Sequence, residues 1–114
     1  MAWIRCMGGS GGQPSGGNAN RLALTLISDT YIDGNGNEVA YGGWSSTDFA
    51  DISGKSTLYT SGASGSYNAF YDSSKTFISA FTASAIVSIP NNAVYCRLSN
   101  TSASMTSVNI FTDV

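Results

Sequence analysis

The chain has 114 residues, enough for one domain with a modest core. Only 11% of it is charged, and the net charge of −2 excludes a broad nucleic-acid or anionic-membrane footprint. Histidine is absent, which removes Ser-His-Asp and Cys-His catalysis, imidazole metal sites and histidine pH switching. Ser, Thr, Asn and Gly supply 51 residues, yet 42% of the chain is hydrophobic, too much for disorder throughout. The composition predicts strands packed on one another.

Residues 1–7, Met-Ala-Trp-Ile-Arg-Cys-Met, read as a short N-terminal arm or strand with apolar residues on both faces. Arg5 interrupts the apolar patch and glycines follow, so a secretion signal is not expected. Folding in a reducing cytosol would leave Cys6 and Cys96 as free thiols, with Cys96 a small core residue. Residues 8–19 form a glycine-rich linker. A P-loop is excluded there, because no Lys-Ser/Thr terminus or helix start follows.

Residues 20–114 form the predicted folded body. Leu22, Leu24 and Leu26 alternate as a half-buried strand. Thr30–Asp33 and Glu38–Tyr41 flank Asp33-Gly-Asn-Gly-Asn37 as a hairpin. An EF-hand reading fails, since its sixth and twelfth positions would be Glu38 and Trp44 instead of Gly and Glu. Gly42–Thr47 reads as a loop bearing an exposed Trp44, and strands follow around Asp51 and from Lys55 to Ser61. Tyr67–Asp72 and Thr76–Phe81 form strands around the Ser73-Ser-Lys75 turn. The next strand runs from Ala85 to Ile89 and stops at Pro90. Ala93–Leu98 alternates, with Cys96 on one face and Tyr95 and Arg97 on an outward one. Ser99–Thr106 reads as a polar turn before a last strand, Ser107–Phe111. Short strands without sustained helical periodicity predict an all-β fold, an antiparallel β-sandwich of the jelly-roll kind.

Four segments in order carry a resemblance: Asp29–Val39, Thr47–Ile52, Ala69–Ser79 and Ile89–Ser99. Together they resemble a β-sandwich module of tail-fibre, baseplate and other appendage proteins of phages of Gram-positive gut bacteria. That module is similar to galactose-binding-like carbohydrate modules. The Met-Ala-Trp-Ile-Arg-Cys opening also resembles the start of small structural proteins of such phages. The resemblance spans residues 25 to 114. It implies a virion-surface protein folded in the host cytoplasm, contacting other virion proteins, with no catalytic residues. A structural calcium, held in some similar modules, is not placed by any residue here.

The residues themselves give three functional readings. Sugars stack C–H faces on aromatic rings while Asn, Asp and Arg bind hydroxyls. On that chemistry Tyr41, Trp44, Asn68, Tyr71, Asp72 and Arg97 are the candidate glycan residues for a host-surface polysaccharide; the alternative for Trp44 is a lid on the sandwich end. Enzymatic glycoside cleavage needs a carboxylate pair that the sequence does not single out, so no catalytic residue is expected. Trp3, Ile4 and Met7 are candidate contacts of a homo-oligomer, a trimer among the options; the alternative is a passive tail. No nucleic acid, membrane or metal partner is expected. A cellular carbohydrate-binding module, surface-attached or secreted, is the alternative to the virion reading.

Overall fold

The computed structural model describes residues 20–61 and 65–113, and the expectations for the arm, the linker and Cys6 lie outside them. The strands are β1 (Asn20–Arg21), β2 (Leu26–Ile32), β3 (Glu38–Thr47), β4 (Ala50–Asp51), β5 (Thr57–Ser61), β6 (Asn68–Tyr71), β7 (Phe77–Phe81), β8 (Val87–Ser88), β9 (Tyr95–Arg97), β10 (Ser99–Thr101) and β11 (Asn109–Thr112). A single helical turn, α1 (Ser102–Met105), precedes β11 and is capped by the Thr101 hydroxyl. All pairings are antiparallel. They make a first sheet in the order β4-β9-β6-β7, a second in the order β10-β3-β2 and a third in the order β1-β11-β5-β8. The antiparallel all-β sandwich expected from the sequence is the observed class.

Alternation along β6 explains the layering. Phe70 joins the larger core with Leu58, Cys96, Leu98 and Ile110, and stacks on Phe81 at 4.2 Å. Ala69 and Tyr71, on the opposite face, pack with Ile32, Phe49, Phe77 and Tyr95. All four β6 residues are buried, so the first sheet is the middle layer. The third sheet covers one face and the β2–β3 hairpin covers the other. Leu22 and Leu24 pack against the larger core, but residues 22–25 join no strand, contrary to the expected one, and Leu26 is 41% exposed because the chain changes sheet at that point.

Two hairpin turns share one construction. Asp33 Oδ1 accepts the N–H groups of Asn35 and Asn37 at 2.8 and 2.9 Å, and Gly36 takes φ +79°. Asp72 Oδ1 accepts those of Ser74 and Thr76 at 2.8 and 3.0 Å, and Lys75 takes φ +64°. The first turn needs glycine twice over, since a Cβ at Gly36 would also stand 2.3 Å from Phe77 Cδ1. Lys75 bears the left-handed strain, and its ammonium lies 5.0 Å over Phe49.

Arg97 is not on an outward face, as the alternation suggested, because the β2–β3 hairpin forms a further layer over it. It is 5% exposed. Its Nε donates to Thr47 O at 2.9 Å, its Nη2 meets Glu38 Oε1 at 2.5 Å, and its guanidinium lies 4.7 Å over Phe49. A planar fork is required to do all three, so Arg97→Lys is expected to cost about 1–3 kcal/mol. Glu38→Gln should cost less, because the amide oxygen can still accept from Nη2 and the position is 41% exposed, where solvent screens the lost charge. Urea denaturation of both variants measures the difference, and equal losses would contradict it.

Asp33, Asp51 and Asp113 are held below the usual aspartate value of 3.8, chiefly by backbone N–H groups of Asn37, Ser53 and Thr57 respectively. The folded protein therefore binds these protons more weakly than the unfolded chain does. Their stabilisation is full above about pH 4 and is lost as the pH falls through the lowered folded values. The melting temperature should drop between about pH 4 and pH 2, and Asp33→Asn should flatten that drop. A melting temperature independent of pH across that range would exclude this role.

Candidate functional site

The β2–β3 hairpin is regular at its tip and at its base. Ile32, Tyr31 and Thr30 pair with Glu38, Val39 and Ala40, and Ser28, Ile27 and Leu26 pair with Ser45, Ser46 and Thr47. Between these stretches Asp29 alone faces Tyr41-Gly42-Gly43-Trp44. The excess residues leave the ladder, and both sides take left-handed backbone: φ is +60° at Asp29 and +87° at Gly43. The Asp29 carboxylate closes the bulge by accepting the Gly43 N–H at 3.4 Å. Gly42–Thr47 is thus a bulged strand and not the predicted loop, held at its far edge by pairing of Trp44 with Thr101.

The bulge gathers four rings. Trp44 stands edge-to-face with Tyr31, Tyr41 and Tyr67, with centroids 6.1, 6.3 and 5.2 Å apart. Tyr31 does the same with Tyr41 at 5.6 Å and with Tyr67 at 5.4 Å. The four side chains line a cleft of about 230 Å³. Tyr41 is 55% exposed and Tyr67 41% exposed, while Tyr31 and Trp44 are half-buried. The cluster belongs to neither buried core. A larger cleft of about 350 Å³, lined by Leu22, Leu24, Met105 and Val108 among others, has no comparable set of converging rings.

Tyr41 and Trp44 therefore come together, and Tyr31 and Tyr67 join them although sequence reasoning did not select them. A signal for Tyr31 was present: Thr30 and Ile32 face inward, which turns Tyr31 outward. The other candidates lie elsewhere. Asn68 is fully buried, with Nδ2 donating to Phe81 O at 3.3 Å and Oδ1 accepting from Ser99 N at 3.4 Å. Tyr71 is buried and donates its hydroxyl to Gly36 O at 2.7 Å. Burial pushes its phenol up to about 12, partly offset by the Arg97 charge, so it stays a donor. Asp72 serves its own turn and Arg97 serves the hairpin interface.

All seven carboxylates of the chain accept bonds from the fold itself. Asp29, Asp33, Asp48, Asp51, Asp72 and Asp113 bond backbone N–H groups, and Glu38 pairs with Arg97. Among the described residues no three acidic or thiol groups converge to hold a metal ion. Cys96 is a buried free thiol, pushed up to about 12 by burial and so a poor nucleophile. No helix among the described residues is long and apolar enough to cross a membrane. No protein-family model, curated protein or solved structure matches the chain.

Proposed function

We propose that the protein is a non-enzymatic structural or appendage protein of a phage virion, which forms oligomers and contacts glycans on the host surface through the aromatic cleft. The cleft carries this reading. Four large rings outside the packed cores expose apolar surface that water disfavours, on a backbone strained to hold them. Commitment of every carboxylate to the fold supports a binding role over acid–base hydrolysis. The jelly-roll likeness to carbohydrate-binding modules belongs to the same proposal.

Trp44→Ala should abolish binding to those polysaccharides that the intact protein captures on a glycan array, with the melting temperature within a few degrees of the parent. A large loss of stability with binding intact would make Trp44 a lid on the fold.

Assembly rests on residues 1–17. Trp3, Ile4 and Met7 supply an apolar group, and the segment Gly8–Gly17 can span up to roughly 33 Å when extended. That reach suffices for a neighbouring subunit. Deleting residues 1–17 should lower the mass measured by light scattering while the circular dichroism spectrum keeps its β character. An unchanged mass would show that these residues play no part in assembly.

A further inference from the structure

We infer that the aromatic cleft takes a quaternary ammonium group, of the choline type, carried as a substituent on the recognised surface polymer. This rests on the reading of the cleft as the ligand site of the chain, and it names the chemical group that enters.

The composition of the cleft is the first ground. A site that grips a sugar ring by itself commonly adds amide, carboxylate or guanidinium groups, which bind the hydroxyls, to a flat aromatic face. The lining holds Tyr31, Tyr41, Trp44 and Tyr67 and none of those groups. Asn68 and Arg97, which could have served, are buried, and Asp72 serves its own turn. A quaternary ammonium has no N–H to donate and needs none of them. Its methyl groups contact ring carbons, and its charge is drawn to the negative ring faces.

Ring orientation is the second ground. The five ring pairs meet at 67 to 89°, so the rings stand as walls at angles and not as one platform. Neighbouring centroids lie 5.2 to 6.3 Å apart, so a cation lodged in the cleft that all four rings line can be close to more than one of them. The attraction reaches roughly 6 Å from a ring centroid.

Charge is the third ground. The Asp29 carboxylate sits across the bulge, bonded to the N–H of Gly43 between the two ring-bearing residues. It does not line the cleft, but it biases the neighbourhood toward a cation. A net charge of −2 acts in the same direction.

The test uses the full chain and isothermal titration with choline chloride and with its uncharged isostere, in which carbon replaces the ammonium nitrogen. Choline should bind about ten-fold or more tightly than the isostere. Tyr41→Ala, at an exposed position, should remove about ten-fold of that affinity. Asp29→Asn keeps an acceptor for Gly43 and a residue type that tolerates left-handed backbone, and should weaken choline a few-fold while leaving the isostere unchanged. Retained melting temperatures certify the variants. Polymers with and without choline esters, and phosphatidylcholine vesicles, separate the sources: capture of the choline-bearing polymer supports the inference, and capture of vesicles alone overturns it. Equal binding of choline and isostere also overturns it. If choline does not bind but Trp44→Ala still abolishes polysaccharide capture, the glycan reading stands and the ammonium inference falls. If polysaccharide capture survives Trp44→Ala and choline does not bind, the cleft is not the ligand site and both fall.

Discussion

The segment from Tyr95 to Thr101 belongs to two sheets, and the rest of the architecture depends on how its backbone is satisfied while it crosses. Leu98 sits at the crossing, outside either ladder. Its N–H donates to Thr47 Oγ1 at 3.0 Å, and its carbonyl accepts the Thr47 N–H at 2.8 Å. On one side of it Arg97 reaches the Thr47 carbonyl, and on the other the Ser99 hydroxyl accepts from Ile32 N and donates to Tyr67 O. Thr47, Leu98 and Ser99 are fully buried, so no water can substitute for these partners. Losing one would leave a buried polar group unsatisfied, at about 1–3 kcal/mol.

This crossing also builds the cleft. Tyr67 precedes β6 of the first sheet, Tyr31 and Trp44 stand on β2 and β3 of the second, and Thr101 pairs with Trp44 from the end of the crossing segment. Rings from separate parts of the chain meet because one strand is shared between layers. The abundant hydroxyl side chains find a use here: Thr30 Oγ1 lies 2.6 Å from Ser46 Oγ, and Ser45 Oγ lies 2.8 Å from Ser102 Oγ. Short uncharged groups of this kind satisfy crowded backbone without the desolvation cost of a charge. Arg97 is the exception, and its fork is matched on three sides.

Much of the fold was legible because alternation reports directly on burial. The strand at Asn68–Tyr71, the Asp33 turn and the inward Cys96 follow from local pattern, whereas the burial of Asn68 and Tyr71 on both faces of that strand does not. The misreadings share one physical origin. Arg97 looked solvent-facing because alternation gives only the side of a strand and not how many layers cover that side. Gly42–Thr47 looked like a loop because glycine pairs signal a break, whereas the partner strand and Thr101 hold it in register. Ser99–Thr106 looked like a turn because its polar side chains disguise a short strand that starts on buried Ser99 and a helical turn that ends on buried Met105. In each case distant residues outvoted local composition. Tyr67, a cleft residue placed by the crossing, could not be found from its own neighbours.

The bulge is where hairpin stability and aromatic exposure separate. A β-hairpin gains most from an unbroken ladder, yet this one gives up pairing between Ala40 and Ser45 and holds Asp29 and Gly43 in left-handed backbone. Such residues cost on the order of 1 kcal/mol or more each when not glycine, and Asp29 is not. Flanking order makes the cost bearable, since Thr30 and Ser46 lock the hairpin just beneath and Glu38 ties its tip to Arg97. A regular ladder would have placed Tyr41 and Trp44 at a spacing set by the pleat, with successive side chains on opposite faces. The extra residues free both rings from that alternation and bring them to one side with Tyr31. The strain is therefore located at the point where the sheet stops serving its own packing and turns aromatic surface outward.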